Sequence, residues 1–381
     1  MTAINLGSTN QGATTLAPTK RRARFHTLEV AEVRPLTAES VEVTFTVPRK
    51  LEGEFDYVPG QHLALRATID GHELRRSYSI CRPATRGSIS VAIKRDLGGA
   101  FSTWANSELH AGDRLDVMSP QGTFTTALHS LDDKHVVGIA AGSGITPLMA
   151  LAHTVLAASA SSRFTLVYTN RTALDVMFLD ELAELKDRYP ARLALYHVLS
   201  REQRSSSLLS GRIDEEKLRR MLDTILRPGT IDEWFLCGPF ELVQLCRDTL
   251  DDVGVARSHV RFELFTTGEP TTFTPDSGRP VLVSAGDKTF EIEFTLDGQT
   301  ATVTTPVNAK ESILNAALRV RPDVPFACAG GVCGTCRAKL VTGDVTMTEN
   351  YALEPDEIAR GYVLTCQSHP TTEKVSVNYD V

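Results

Sequence analysis

The chain has 381 residues, carries a formal net charge of −7, and is 42% hydrophobic and 23% charged. At roughly 150 residues per domain this length implies two or three domains, and the ordinary apolar fraction excludes wholesale disorder. The modest acidity argues against nucleic acid as the main partner, because phosphate binding needs a concentrated basic face, and no run of about 18 apolar residues could span a membrane.

Residues 1–24 contain no acid and end in Lys20-Arg21-Arg22-Ala23-Arg24, the composition of a disordered basic tail. Nothing there resembles a secretory signal, so a cytoplasmic, reducing location is expected. From Phe25 to about residue 130 the pattern is one of short strands between Gly and Pro turns. Val41–Phe45 alternates with period two, Gln61–Leu65 follows Pro59-Gly60, and Arg76–Ile80, Ile89–Lys94 and Arg114–Met118 complete the set. Such runs predict an antiparallel β-barrel, with one short helix starting near Phe101. Over 131–265 the texture changes to alternating strands and helices. Strands are expected at His135–Ala140, Arg163–Thr169, Arg192–Leu199 and Glu233–Cys237. Helices are expected at Leu148–Leu156, Phe178–Tyr189, Glu215–Leu226 and Phe240–Leu250, which makes an α/β domain on a parallel sheet. Residues 266–280 have linker composition. Within 281–381 a hairpin turns at Asp297-Gly298 and a helix is expected over Lys310–Val320.

Four of the seven cysteines follow the pattern Cys328-x4-Cys333-x2-Cys336, then x29 and Cys366. This is the plant-type 2Fe–2S spacing: three thiolates from one tight loop and a fourth from a distant segment. Zinc would also accept four thiolates, but its sites usually pair Cys-x2-Cys twice, and here one such pair exists. Cys81 and Cys246 read as small core residues. Cys237 ends a parallel strand before Gly238-Pro239, where such sheets bind ligands.

Arg76-Ser77-Tyr78-Ser79 on a barrel strand is followed by Ala92-Ile93-Lys94 and by Gly98-Gly99-Ala100-Phe101-Ser102, a glycine turn opening a helix. A helix N-terminus is an anion site, Arg76 can face the same pyrophosphate, and Tyr78 offers an aromatic face and a hydroxyl to a flavin ring. Gly142-Ser143-Gly144-Ile145-Thr146-Pro147 joins the first parallel strand to its helix. Its glycines let the backbone approach a nucleotide pyrophosphate, although Pro147 stands where the dinucleotide fingerprint has its last glycine. Arg171, Ser200-Arg201 and Arg212 follow later strands of this domain, and the Ser-Arg-Glu and Gly-Arg-Ile pair resembles the 2′-phosphate grip of NADP-specific reductases.

Together these motifs resemble the ferredoxin–NADP reductase superfamily, in the branch with a C-terminal plant-type ferredoxin domain. Arg75–Cys81, Phe178–Leu182, Leu199–Glu202, Ser210–Asp214 and Trp234–Phe240 are most similar to the reductases of phenylacetyl-CoA epoxidases. The resemblance implies a flavin barrel, a nucleotide domain and a β-grasp ferredoxin domain. It implies that Arg76, Tyr78, Ser79, Ala92–Lys94, Gly99, Phe101 and Ser102 hold FAD, with Phe265 covering the flavin. It places the pyridine nucleotide on Gly142–Pro147 and Cys237–Pro239, with Tyr78, Ser79 and Cys237 at the reacting centre. The expected chemistry runs from NADPH to FAD to the 2Fe–2S cluster to a multicomponent oxygenase. NADH with a Rieske ring-hydroxylating or steroid-hydroxylating partner is the alternative, and a non-catalytic iron–sulfur redox sensor is a more distant one.

Overall fold

The computed structural model describes residues 25–96, 98–122, 124–126, 132–266, 288–296, 298–321, 324–326, 331, 334–350, 352–353 and 355–380. The expected tail and nearly all of the expected linker lie outside them.

The first module is built on alternation. β1 (Phe25–Thr37), β2 (Ser40–Thr46), β3 (His62–Ile69), β4 (His72–Ser79), β5 (Ser88–Lys94) and, after helix α1 (Ala100–Ser107), β6 (Arg114–Met118) form one six-stranded sheet. Its order is β4-β3-β6-β1-β2-β5, and its pairings are antiparallel. A bridge from Ile80 to Val91 brings the two edges together, so the sheet curls into a barrel. Every second side chain faces inward: Val43 and Phe45, Leu63 and Leu65, Val91 and Ile93 are all fully buried.

The second module is a parallel sheet covered on both faces. Its elements run β7 (His135–Ala141), α2 (Ile145–Ala158), β8 (Arg163–Asn170), α3 (Leu179–Arg188), β9 (Leu193–Leu199), α4 (Glu215–Met221), β10 (Glu233–Pro239), α5 (Phe240–Asp252) and β11 (Val260–Thr266). Strand order is β11-β10-β7-β8-β9. Buried on both sides, β7 reads as a continuous apolar run. α2 is apolar nearly all round, whereas α3 buries only Leu182 and Leu185, with acids in its first turn and bases in its last, complementing the helix dipole. The helix expected over 215–226 ends its α-helical part at Met221 and continues as a π-turn over Leu222–Leu226. One core lies under α2 and α3 and another under α4 and α5. The first takes in Cys81, Ala92 and Phe124 from the barrel side, so the two modules share apolar contact. Phe124 meets Phe235 edge-on at 5.1 Å.

The third module is a mixed sheet. β12 (Thr289–Leu296) and β13 (Gln299–Pro306) form the expected hairpin, followed by α6 (Ile313–Leu318), β14 (Arg337–Thr342), β15 (Val345–Met347), α7 (Pro355–Ala359), β16 (Tyr362–Leu364), β17 (Ser368–Pro370) and β18 (Lys374–Asn378). The main sheet is ordered β13-β12-β18-β14-β16, with β15 and β17 paired apart. α6 is shorter than the expected Lys310–Val320 because Lys310 takes a left-handed conformation and Ser312 caps the helix, its Oγ accepting from the Asn315 amide. Among the described residues no helix is long and apolar enough to cross a membrane.

Candidate functional site

A groove of about 750 Å³ opens along the C-terminal ends of β7, β8, β9 and β10, where parallel sheets bind ligands. Lys94, Gly142, Ser143, Arg171, Ser200, Arg201, Arg212, Gly238 and Pro239, all expected at a cofactor, line it. Asp96, Asn170 and Glu241 line it too and were not expected. The turn at its floor needs its glycines. Gly142 has φ +53, and its carbonyl accepts from the Tyr168 hydroxyl at 2.9 Å. A Cβ on Gly144 would stand 2.1 Å from the Cys237 carbonyl oxygen, so only glycine lets the turn lie against β10. Thr146 and Pro147 are buried, and Thr146 donates to the Ser143 carbonyl at 3.0 Å; both shape the turn from behind.

Backbone bonds assemble the cationic end of the groove. The Arg201 amide donates to the Arg171 carbonyl at 2.8 Å. Lys217 donates to the carbonyls of Ser210 and Arg212 at 2.5 and 2.7 Å, fixing the loop that carries Arg212. Arg171 pairs with Asp175 at 2.8 Å, whereas the guanidiniums of Arg201 and Arg212 are exposed. Burial lowers the Lys94 pKa, an effect that Asp175 opposes and Arg171 reinforces.

On the barrel, β3 and β4 pair Leu63 with Tyr78 and Leu65 with Arg76. Tyr78 packs on the barrel core and meets the Phe101 ring at 5.8 Å, while Arg76 stays exposed. Burial pushes the Tyr78 hydroxyl well above its ordinary pKa; Arg76 opposes this and Asp96 adds to it. Ser102 Oγ accepts from the Asp96 amide at 3.0 Å and donates to the Gly99 carbonyl at 3.1 Å, tightening the turn at the start of α1. An exposed arginine, a half-buried tyrosine and this turn fit the flavin and pyrophosphate expected here. Ala92 and Ile93 are buried in core, so of that triplet Lys94 alone reaches the groove.

Between groove and barrel the structure gathers Ser79, Cys237 and Glu263. Ser79 Oγ donates to Glu263 Oε2 at 2.9 Å, and Glu263 pairs in register with Cys237 on the neighbouring strand. Cys237 is fully buried, and burial, reinforced by Glu263, pushes its thiol well up, so it is a neutral thiol. Glu263 was not expected. Its only sequence signal was a carboxylate near the end of an apolar strand, and its partner lies 184 positions away. Phe265 belongs to β11, and its side chain lies outside the described residues.

Of the expected cluster ligands, Cys336 and Cys366 are described and nearly buried, at 2% and 6% exposure; Cys328 and Cys333 lie outside the described residues. The Thr365 amide and hydroxyl both donate to the Cys336 carbonyl, at 3.2 and 2.9 Å, which sets the distant Cys366 segment beside the loop. Gly331 and Gly334 take φ of +77 and +69, and a Cβ on Gly331 would approach the Glu349 carbonyl to 3.0 Å. The buried thiols of Cys336 and Cys366, with positive-φ glycines at 331 and 334, fit an iron–sulfur cluster.

The chain matches three family models: an oxidoreductase FAD-binding domain over residues 27–126, an oxidoreductase NAD-binding domain over 139–248, and a 2Fe-2S iron-sulfur cluster binding domain over 294–371. It is 42% identical to one of the subunits of the 1,2-phenylacetyl-CoA epoxidase of Escherichia coli (strain K12), across 93% of this chain and 98% of that one. It is 34% identical to the ferredoxin reductase component of 3-ketosteroid-9-alpha-monooxygenase of Mycobacterium tuberculosis, across 93% and 95%. Phthalate dioxygenase reductase superposes with a TM-score of 0.56 at 21% identity, across 93% and 98% of the two chains. An intact type IV self-sufficient cytochrome P450 monooxygenase gives 0.65 at 21%, with this chain spanning 41% of it.

Proposed function

Because the chain belongs to the family of oxygenase reductase components that join FAD-binding, NAD-binding and 2Fe-2S domains, we propose that it draws its electrons from NADPH and delivers them to a phenylacetyl-CoA epoxidase. The chain is an electron-transfer oxidoreductase that serves a multicomponent oxygenase. In this reading residues 25–130 hold FAD, 131–265 the nucleotide and 281–381 the cluster, with 266–280 as linker and 1–24 as tail.

FAD held by Arg76, Tyr78, Ser79 and the Gly99–Ser102 turn would supply the conversion of a two-electron hydride into single electrons, which leaves binding, alignment and tuning to the protein. The Gly142–Gly144 turn cradles a pyrophosphate with backbone amides. Tyr78, kept protonated by burial, presents its ring and an O–H donor. Ser79 is held by Glu263, and Cys237 stands behind Gly238-Pro239 as a neutral thiol that adds no charge beside the nicotinamide.

The observation that carries the choice of NADPH is the cationic end of the groove, with Arg171 on the β8–α3 connection and Arg201 and Arg212 on the β9–α4 connection. Charge-assisted hydrogen bonds contribute about 1.5–3 kcal/mol each, so one to a 2′-phosphate discriminates at least about tenfold. The 42% identity to the epoxidase component supports the acceptor. The test is NADPH-driven turnover of phenylacetyl-CoA with the purified epoxidase, comparing the native chain with Arg201→Ala/Arg212→Ala. The double variant should lose at least about tenfold in kcat/KM for NADPH while NADH use is spared. Equal loss with both nucleotides contradicts the NADPH reading. No epoxidation, but transfer to a ring-hydroxylating or steroid oxygenase, moves the acceptor.

A further inference from the structure

The β3–β4 hairpin has a second face. Residues opposite each other in an antiparallel pair share a side of the sheet. The register pairs His62 with Ser79, Ala64 with Ser77 and Arg66 with Arg75. This set points away from Leu63 and Leu65, hence away from the barrel core. An outward strip on a barrel is ordinarily wet, yet His62, Ala64, Arg75 and Ser79 are 3%, 2%, 4% and 2% exposed. The third module covers part of it. The Arg75 guanidinium donates to the Val324 carbonyl at 3.3 Å, and it lies 4.8 Å from the Phe326 ring centroid and 5.4 Å from that of Phe25. His62 Nε2 stands 3.4 Å from Thr335 Oγ1, while its Nδ1 lies 3.8 Å from the Glu263 carboxylate that holds Ser79.

These contacts fall at the two ends of the cysteine loop. Val324 and Phe326 lead directly into Cys328, and Thr335 directly precedes Cys336. Contacts at both flanks of a segment restrain it more than contact at one. A guanidinium between two rings adds directional attraction at low entropic cost. We infer that Arg75 and the His62–Thr335 contact are positioning elements that clamp the cysteine loop against the flavin module, and that they govern electron passage from flavin to cluster without governing hydride delivery. The inference rests on the cysteine loop being the cluster holder; it does not depend on which nucleotide or which oxygenase is used.

The test uses the full-length holoprotein and the variants Arg75→Met and Thr335→Val, with Arg75→Lys and Thr335→Ser as conservative partners. Neither altered residue belongs to the flavin or nucleotide site. Flavin and iron contents should match the native protein, as should ferricyanide reduction, which draws on the flavin. In anaerobic single turnover, bleaching of the cluster absorption after flavin reduction should slow at least several-fold, because electron tunnelling weakens as donor and acceptor separate. Hydrogen exchange in 324–326 and 334–336 should quicken in Arg75→Met and Thr335→Val, and the conservative variants should recover both readouts. Unchanged bleaching in both variants overturns the clamp. So does an equal slowing of ferricyanide reduction, which would place the effect at the flavin. Loss of iron overturns it in favour of cluster retention. A failure of the cluster reading would show separately, as native protein without iron.

Discussion

Three cysteines outside the 2Fe–2S pattern, Cys81, Cys237 and Cys246, are 0%, 0% and 1% exposed. Burial pushes the Cys246 thiol up to about 12 and the other two well up, with a nearby carboxylate adding to the effect in each of those two: Glu42 for Cys81 and Glu263 for Cys237. The thiolate is the nucleophile, so these groups stay inert across the neutral range. Iodoacetamide at pH 8 should therefore leave all three unlabelled in the folded holoprotein and label them in denaturant, as read by peptide mass spectrometry. Labelling of native Cys237 would show that the strand end is open. At this scale the sequence was informative wherever chemistry is local. The Cys328–Cys336 spacing and the Gly142–Gly144 turn each lie within a few residues, and the arginines each follow a strand that marks itself by its pattern. Glu263 and His62 escaped because their meaning comes from partners 184 and 273 positions away, and nothing in a run such as Arg261–Phe265 encodes what lies across a domain boundary.

At the level of elements, the barrel and the parallel sheet are braced by an ion cluster. Glu42 on β2 accepts from Arg82 at 2.5 and 2.6 Å and from Arg34 of β1 at 2.6 Å. Both arginines also reach Glu181 at the start of α3. Burial by itself would raise the Glu42 pKa; Arg82 and Arg34 outweigh it and hold the carboxyl below its ordinary value. Glu181 is lowered in the same sense, burial being outweighed by its hydrogen bonds and charges. A depressed carboxyl stabilises the fold above its unfolded pKa of about 4.3 and loses that contribution as pH falls through the folded value. Glu42→Gln should thus destabilise by about 1–3 kcal/mol at pH 7, since the part-exposed arginines keep Glu181, read from denaturant unfolding, and the gap from the native chain should narrow below about pH 4. An equal gap at both pH values would contradict the brace. Element types were legible because strands of period two and helices of period 3.6 mark themselves. The order of strands in the sheets was not, because β3-β6 and β12-β18 join segments far apart in sequence. The early end of α4 and the late start of α6 were set by turns that periodicity does not register.

For the whole molecule, charge is unevenly shared. Residues 281–381 hold 8 Lys and Arg against 13 Asp and Glu, so −5 of the total −7 sits on the iron–sulfur module. An acidic donor steers toward a basic acceptor, and salt screens that steering with a Debye length of about 10 Å at 0.1 M. Electron delivery to the oxygenase should therefore slow several-fold between low and about 0.5 M salt, while ferricyanide reduction responds differently because it bypasses the acceptor. A salt-insensitive delivery rate would remove the acidic face from the docking step. The architecture of β4 carries one further consequence. Its even-numbered residues Arg76 and Tyr78 look one way and its odd-numbered Arg75, Ser77 and Ser79 the other. Parity alone thus tells whether a substitution in this strand meets the barrel side or the strip on which Arg75 reaches the third module. A single-residue insertion ahead of it would exchange the two sets, disturbing both sides in one step.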